Sequence, residues 1–207
     1  MDNNHVGSFQ QSSAIELGSA EAFFEIIENI RLPKVIPAQR ADFWKRKLLT
    51  SPDHIIRFLQ DFLRHRQPDS SHQQEQTRYP VVFMIYSTRC SVCKADQPVV
   101  NAFADKYRPF IPTFKLEGSL LYQQKIPQET HMRMQSSASS IMYADSYDTA
   151  LADSDTVGEL LQYFPALFIY HPVYGEFLQL AKAQDLEECG EQALKEARQA
   201  SHGIPTN

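Results

Sequence analysis

The chain has 207 residues, of which 43% are hydrophobic and 11% aromatic, and its formal net charge is −5. This length exceeds that of one minimal domain and is short of two full-sized domains, so we expect one principal domain with additions. The acidic balance leaves no basic stripe to neutralise phosphates, which argues against nucleic-acid binding. No apolar run approaches the roughly 20 residues that a transmembrane helix needs, so we expect no membrane span.

The N-terminal third is polar at first and then helical in pattern. Residues 1–18 lack the basic start and apolar core of a signal peptide, and we expect them to form a disordered tail. Residues 19–67 carry apolar side chains at helical spacing, with a helix start at Ser51-Pro52-Asp53, which predicts a helical extension. The polar residues 68–78 are predicted to link this extension to a second region.

Two cysteines stand where a predicted strand gives way to a predicted helix. The apolar run of residues 81–86 ends just before Cys90-Ser-Val-Cys93, and apolar residues recur at helical spacing through residues 99–107. A Cys-x-x-Cys pair on the first turn of a helix that follows a strand indicates a redox site. The free amides and the dipole of the helix start favour an anion, so we expect Cys90 to be the thiolate and Cys93 the resolving thiol.

The residues around the pair bear on its chemistry. Arg89 and Lys94 flank it, and we expect both cations to lower the pKa of the Cys90 thiol. A zinc site is the alternative, but the next histidine along the chain is His131 and no second Cys-x-x-Cys follows. We therefore expect neither a metal nor another cofactor. Cys189 lies among acidic residues, which predicts an inert thiol of raised pKa.

Residues 79–200 are predicted to form the redox domain. Beyond the cysteine helix, its predicted elements are a strand over 111–118, an apolar strand headed by Pro165, a hairpin strand over 177–180 and a terminal helix over 185–200. Residues 119–147 show no clear period, which predicts an insertion before the Pro165 strand. His171 is expected in a turn after that strand, and residues 201–207 form a second tail.

The strand, the Cys-x-x-Cys-Lys sequence of residues 90–94, Pro98 five positions after the second cysteine and the downstream Pro165 together resemble the thioredoxin family. The resemblance implies an α/β fold with a mixed central sheet flanked by helices, here with the N-terminal helical extension and the insertion. It also implies that Pro165 is cis beside the sulfurs and that the backbone of Phe164 binds the substrate chain. An ordinary trans proline is the alternative. Met84 departs from the pattern, since thioredoxin keeps a proton-accepting aspartate there.

A narrower resemblance is to the TraF-type proteins of conjugative type IV secretion systems. It rests on the helical region before the redox domain, on Glu117-Gly118 at the end of the predicted strand, and on Phe164-Pro165-Ala-Leu-Phe running into His171-Pro-x-x-Gly. This resemblance implies a periplasmic protein, whereas the absence of a signal peptide in the chain favours the cytoplasm. The localisation stays open between these two.

Together these features predict a thiol–disulfide oxidoreductase. Its partners would be a protein substrate with cysteine thiols or disulfides and a redox partner protein. Cys90 would attack a substrate disulfide and Cys93 would resolve the mixed disulfide. The alternative is a non-catalytic assembly protein of a type IV secretion or conjugation system, which would keep the fold and dock partners through the extension and the insertion.

Overall fold

The computed structural model describes residues 13–33, 39–66, 79–130 and 146–201. The helices are α1 (Ala20–Asn29), α2 (Asp42–Lys47), α3 (His54–Arg66), α4 (Ser91–Tyr107), α5 (Ser146–Asp153) and α6 (Leu186–Ser201). The strands are β1 (Ile15–Leu17), β2 (Val81–Tyr86), β3 (Thr113–Glu117), β4 (Ala166–His171) and β5 (Glu176–Gln179). Short 3₁₀ helices span Gly118–Gln123, Val157–Leu160 and Ala183–Asp185. Within these ranges, no helix has both the length and the apolar content needed to cross a membrane.

In the described part of the chain, the strands form a mixed sheet in the order β1-β3-β2-β4-β5. Strands β1, β3 and β2 run parallel, whereas β4 is antiparallel to β2 and β5 is antiparallel to β4. β2 lies at the centre, which explains why its sequence is a continuous apolar run rather than an alternating one. The prediction of an α/β fold with a mixed sheet flanked by helices is therefore confirmed.

Each face of the sheet carries its own hydrophobic core. Because side chains alternate along a strand, Phe83 and Ile85 of β2 face one core, whereas Val82 and Met84 face the other. The first core contains residues of α1 and α3, and in it the ring of Phe83 stacks on that of Phe168 with the centroids 5.2 Å apart. The second core lies under α4 and α6. The sheet is thus covered by helices on both faces.

The predicted disordered tail over residues 1–18 is wrong at its end. Residues 15–17 form β1, which pairs with β3 in the register Ile15 to Phe114 and Leu17 to Leu116. Three residues with a charged one between two apolar ones give little local signal, and the strand is stabilised by pairing with a segment about a hundred residues away. Residues 1–12 lie outside the described residues.

The predicted helical extension over residues 19–67 is part of the domain rather than an addition before it. Phe23 and Ile27 of α1 and Leu59 of α3 belong to the same core as Phe83 and Phe168 of the sheet. The predicted linker over 68–78 lies outside the described residues, as do residues 131–145 of the predicted insertion and residues 202–207 of the second tail. The described ends of the insertion contain a 3₁₀ helix and the start of α5.

The prediction that His171 lies in a turn is wrong. It is the fully buried last residue of β4. Its Nε2 lies 3.0 Å from Glu196 Oε2, and its ring packs against Tyr174 and Trp44. The Trp44 indole N–H donates to Glu196 at 3.3 Å. A carboxylate on α6 near the imidazole lets a histidine be buried at this position, which the local sequence does not reveal.

Candidate redox site

The Cys90 thiol stands at the start of α4, directly after the central strand. β2 ends at Tyr86, a turn closes with the Cys90 N–H donating to the Ser87 carbonyl at 3.1 Å, and Cys90 caps the helix. The backbone N–H of Cys93 donates to Cys90 Sγ at 3.2 Å. Cys90 is half-buried and Cys93 is fully buried. The helix start therefore offers the Cys90 sulfur to solvent and buries the Cys93 sulfur.

The two thiols have opposite pKa shifts. A hydrogen bond from the Cys93 side chain lowers the pKa of Cys90 below its usual value, and the backbone N–H groups of Cys93 and Val92 act in the same direction. Burial, together with a smaller contribution from the neighbouring Cys90 sulfur, raises the pKa of Cys93 to about 12. The charge of Asp96 raises the pKa of both thiols. Cys90 is thus the thiol that ionises first, and Cys93 is its hydrogen-bond donor.

Cys90 and Cys93 are both free thiols, with no disulfide bond between them. Arg89 and Lys94 are exposed beside them. The hydrogen bonds that lower the pKa of Cys90 come from the Cys93 side chain and from the first turn of α4. The expected tuning by the Arg89 and Lys94 cations therefore stays a prediction.

The segment before β4 lies against the Cys90 sulfur. The Phe164–Pro165 peptide bond is cis, as predicted, and the Cys90 thiol donates to the Phe164 carbonyl at 3.6 Å between sulfur and oxygen. The Phe164 side chain packs against both hydrophobic cores. At Gly118, a Cβ atom would lie only 2.6 Å from Phe164 Cζ, so the close approach of this ring requires glycine.

A cavity of about 420 Å³ opens beside the turn that leads into α4. It is lined by Ser87, Thr88, Arg89, Glu117, Ser119, Tyr122 and Phe164. Val92, two residues after Cys90, and Tyr163, directly before Phe164, are 55% and 39% exposed, and Tyr122 of the cavity wall is 46% exposed. Uncovered apolar side chains of this size are suited to contact another chain.

A larger cavity of about 810 Å³ lies along the edge strand β5 and includes Arg40, Lys45 and Arg64 in its lining. None of its lining residues belongs to α4 or to the segment before β4. Size alone does not identify the site of chemistry, and the smaller cavity is the one that adjoins the cysteines.

Sequence reasoning missed three residues of the site. Asp96 stands three positions after Cys93 on α4, a spacing that could have indicated its proximity. Gly118 is predicted to end a strand, and no local pattern places it against the Phe164 ring. Asp53 was interpreted as part of a helix start, whereas its buried carboxylate accepts a hydrogen bond from the backbone N–H of Gln162, 109 residues later. No local pattern reveals such a contact.

The third cysteine is isolated from the pair. Cys189 is fully buried in α6, and burial raises its pKa to about 12, with a smaller contribution from the Asp185 charge. The predicted raised pKa is confirmed, although burial rather than the neighbouring carboxylates is the main cause. Among the described residues, no group of three or more His, Cys, Asp or Glu side chains is arranged to hold a metal ion.

No protein-family model matches the chain, and no curated protein is similar to it in sequence. The functional assignment therefore depends on the residues of the site and on their geometry.

Proposed function

We propose that this chain is a thiol–disulfide oxidoreductase of the thioredoxin fold, with Cys90 as the nucleophile and Cys93 as the resolving thiol. The observation that carries the proposal is the asymmetry of the pair. Cys90 is half-exposed with a lowered pKa, whereas Cys93 is buried with its pKa raised to about 12. Thiol–disulfide exchange needs this asymmetry, because one sulfur must attack as a thiolate while the other stays protonated until the mixed disulfide has formed.

The arrangement of the strands supports the thioredoxin fold. The sheet order β1-β3-β2-β4-β5, in which only β4 runs antiparallel to the other strands, is the order that this fold has. Helix α4, which begins at the cysteine pair, follows the central strand β2, and a cis proline directly precedes the neighbouring antiparallel strand β4. These features come from distant parts of the chain and meet at one end of the sheet.

The proposed reaction has two exchange steps. The Cys90 thiolate attacks one sulfur of a substrate disulfide, so that a Cys90–substrate bond forms, the substrate S–S bond breaks and the other sulfur leaves as a thiolate. Cys93 gives its proton to this leaving thiolate and attacks Cys90 Sγ, which forms the Cys90–Cys93 disulfide and releases the first substrate sulfur. The substrate gains two electrons and the protein loses two. The reverse sequence oxidises a substrate dithiol.

The surroundings of Cys90 suit a polypeptide substrate. The Phe164 carbonyl beside the sulfur is a backbone acceptor that an extended substrate chain can use. The exposed side chains of Val92, Tyr122 and Tyr163 are available for apolar contacts with such a chain. A substrate protein and a second redox protein that resets the pair are the partners this reaction requires. The narrower role in a TraF-type secretion or conjugation system rests on sequence resemblance and stays a prediction.

The test uses the reduced protein and a peptide that carries a disulfide. The wild-type chain should release reduced peptide and end with a Cys90–Cys93 disulfide. The Cys93→Ser variant should stop at a mixed disulfide through Cys90, because attack still occurs but resolution does not. Cys90→Ser should do neither, and Cys189→Ser, the matched control, should behave like the wild type.

Peptide mapping of the trapped species identifies the sulfur that attacked. A mixed disulfide through Cys93 would reverse the two roles. If no mixed disulfide forms, and a double serine variant at residues 90 and 93 supports full activity in its native setting, the assembly role replaces the enzyme.

A further inference from the structure

Asp53 is a buried acid at the start of α3 whose hydrogen bonds lead away from its own helix. Its carboxylate accepts the Gln179 side-chain N–H at 2.7 Å and the backbone N–H of Gln162 at 2.9 Å. It also accepts the backbone N–H of Tyr163. The Asp53 backbone N–H in turn donates to the Gln179 side-chain oxygen at 2.7 Å.

These contacts meet at the segment that precedes β4. Besides the two N–H groups held by Asp53, the Tyr163 hydroxyl donates to the Ser51 carbonyl at 3.0 Å. The next residue is Phe164, whose carbonyl accepts from the Cys90 thiol. The start of α3 therefore holds the backbone at the two positions directly before the group that faces the reactive sulfur.

We propose that Asp53 is a positioning residue for the Cys90 site, which holds the segment 162–164 so that the Phe164 carbonyl faces the sulfur and the incoming substrate chain. The proposal rests on the proposed redox function. It gives the start of α3 a role at the site, since Asp53 and Ser51 directly before this helix hold the segment.

A carboxylate is chemically suited to this position. It has two oxygens with about four lone-pair sites, so it can accept the Gln162, Tyr163 and Gln179 N–H groups at the same time. Hydrogen bonds to a charged acceptor are also stronger than those to a neutral one. Moving a charged group from water into the protein interior is costly, and only several hydrogen-bond donors fixed in place offset that cost. The three donors belong to the segment before β4 and to β5, so the burial of this acid depends on the local order of the site.

The test compares three variants of the full chain. Asp53→Ala removes the acceptor, and Asp53→Asn keeps the size and one acceptor oxygen. The matched control is Asp61→Asn, on the same helix, where the carboxylate accepts from the Tyr147 hydroxyl at 3.2 Å and does not contact the segment 162–164. Two rates are measured for Cys90, one with a peptide disulfide and one with iodoacetamide, together with hydrogen exchange at the amides of Gln162 and Tyr163.

We expect Asp53→Ala to slow the reaction with the peptide disulfide by about tenfold or more, because misplacement of the Phe164 backbone weakens alignment of the substrate. Iodoacetamide needs no such alignment, so its rate should change by less than about twofold once differences in pKa are removed by a pH profile. Exchange of the two amides should accelerate by at least about tenfold because their acceptor is lost. Asp53→Asn should lie between Asp53→Ala and the wild type, and Asp61→Asn should match the wild type.

Equal slowing of both Cys90 rates, or amide exchange unchanged in Asp53→Asn, would reduce Asp53 to a structural residue. If Asp53→Ala does not fold, Asp53→Asn alone decides between these outcomes. If the wild-type protein fails to react with the peptide disulfide, the proposed function fails, whereas amide exchange still tests whether Asp53 holds the segment.

Discussion

Cys90 and Cys189 both stand near the start of a helix on the same face of the sheet. Relative to an ordinary cysteine, however, the pKa of the Cys90 thiol is lowered and that of the Cys189 thiol is raised. Cys90 caps α4, is half-exposed and has a lowered pKa. Cys189 is the fourth residue of α6, is fully buried and has its pKa raised to about 12. A helix start therefore does not by itself activate a cysteine.

The difference comes from the atoms around each sulfur. Cys90 Sγ accepts the backbone N–H of Cys93 and the hydrogen bond of a second thiol. Around Cys189, burial opposes ionisation, and the charges of Asp185 and Glu188 act in the same direction. Solvent access and two or more donors at the cap position separate a reactive thiol from one that only packs.

The largest expected effect is in alkylation of the native protein at pH 7. A thiol of pKa about 12, as at Cys93 and Cys189, is about 10⁻⁵ ionised at this pH. Iodoacetamide should therefore label Cys90 at least about 10³-fold faster than either of the other two, because the thiolate is the nucleophile. Peptide mapping after short exposure measures the ratio. Labelling of Cys189 at a rate near that of Cys90 would contradict the comparison.

Cys93→Ala should weaken the activation of Cys90. This change removes the donor that contributes most to the lowered pKa, so the pH midpoint of Cys90 alkylation should move upward. A hydrogen bond to a charged group contributes about 1.5–3 kcal/mol, so alkylation below the midpoint should slow by about ten- to hundredfold. Cys93→Ser keeps a hydroxyl donor and is the matched control, with a smaller shift expected. An unchanged midpoint in Cys93→Ala would assign the activation to the backbone amides alone.

Gly118→Ala should disturb the segment around Phe164, which faces Cys90 and has no counterpart beside Cys189. The added methyl group would meet the Phe164 ring, which must shift, and such overpacking costs about 1–3 kcal/mol of folding stability. We expect the reaction of Cys90 with a peptide disulfide to slow by severalfold, with labelling of Cys189 unaffected. Gly18→Ala is the control, because nothing lies within 4 Å of a Cβ at Gly18. Equal effects of the two variants would exclude Phe164 from the site.

The smallest expected effect distinguishes the two sulfurs by their packing. Cys189→Ser places a hydroxyl in an apolar core and should lower the free energy of unfolding by about 1–3 kcal/mol. Cys90→Ser changes a half-exposed position and should alter it by less than about 1 kcal/mol. Urea denaturation of both variants provides the measurement. A larger loss in Cys90→Ser than in Cys189→Ser would reverse this assignment of roles.

The parts of the fold that the sequence predicts well are those with strong local patterns. The apolar run of β2, the helical spacing of α4 and the proline before β4 each occupy one short stretch, and all appear where they were expected. The cysteine pair is equally local. Its position on the first turn of a helix follows from the order of strand, turn and helix in the sequence.

The parts that sequence reasoning missed depend on contacts between distant segments. β1 is a strand only because β3 pairs with it, and its three residues carry no pattern of their own. Asp53 looks like any helix start until Gln162 and Gln179 are brought to it by the fold. His171 is buried because Glu196 lies beside it on another element. Pairings of this kind leave no periodicity in the sequence.

The most direct test of the redox pair is equilibration of the protein with mixtures of reduced and oxidised glutathione. After acid quenching, free thiols are alkylated and the mass of each species is measured. We expect one transition in which Cys90 and Cys93 lose two hydrogens together as a disulfide forms, with Cys189 reduced throughout. If no Cys90–Cys93 disulfide appears at any glutathione ratio, the proposed redox pair is wrong.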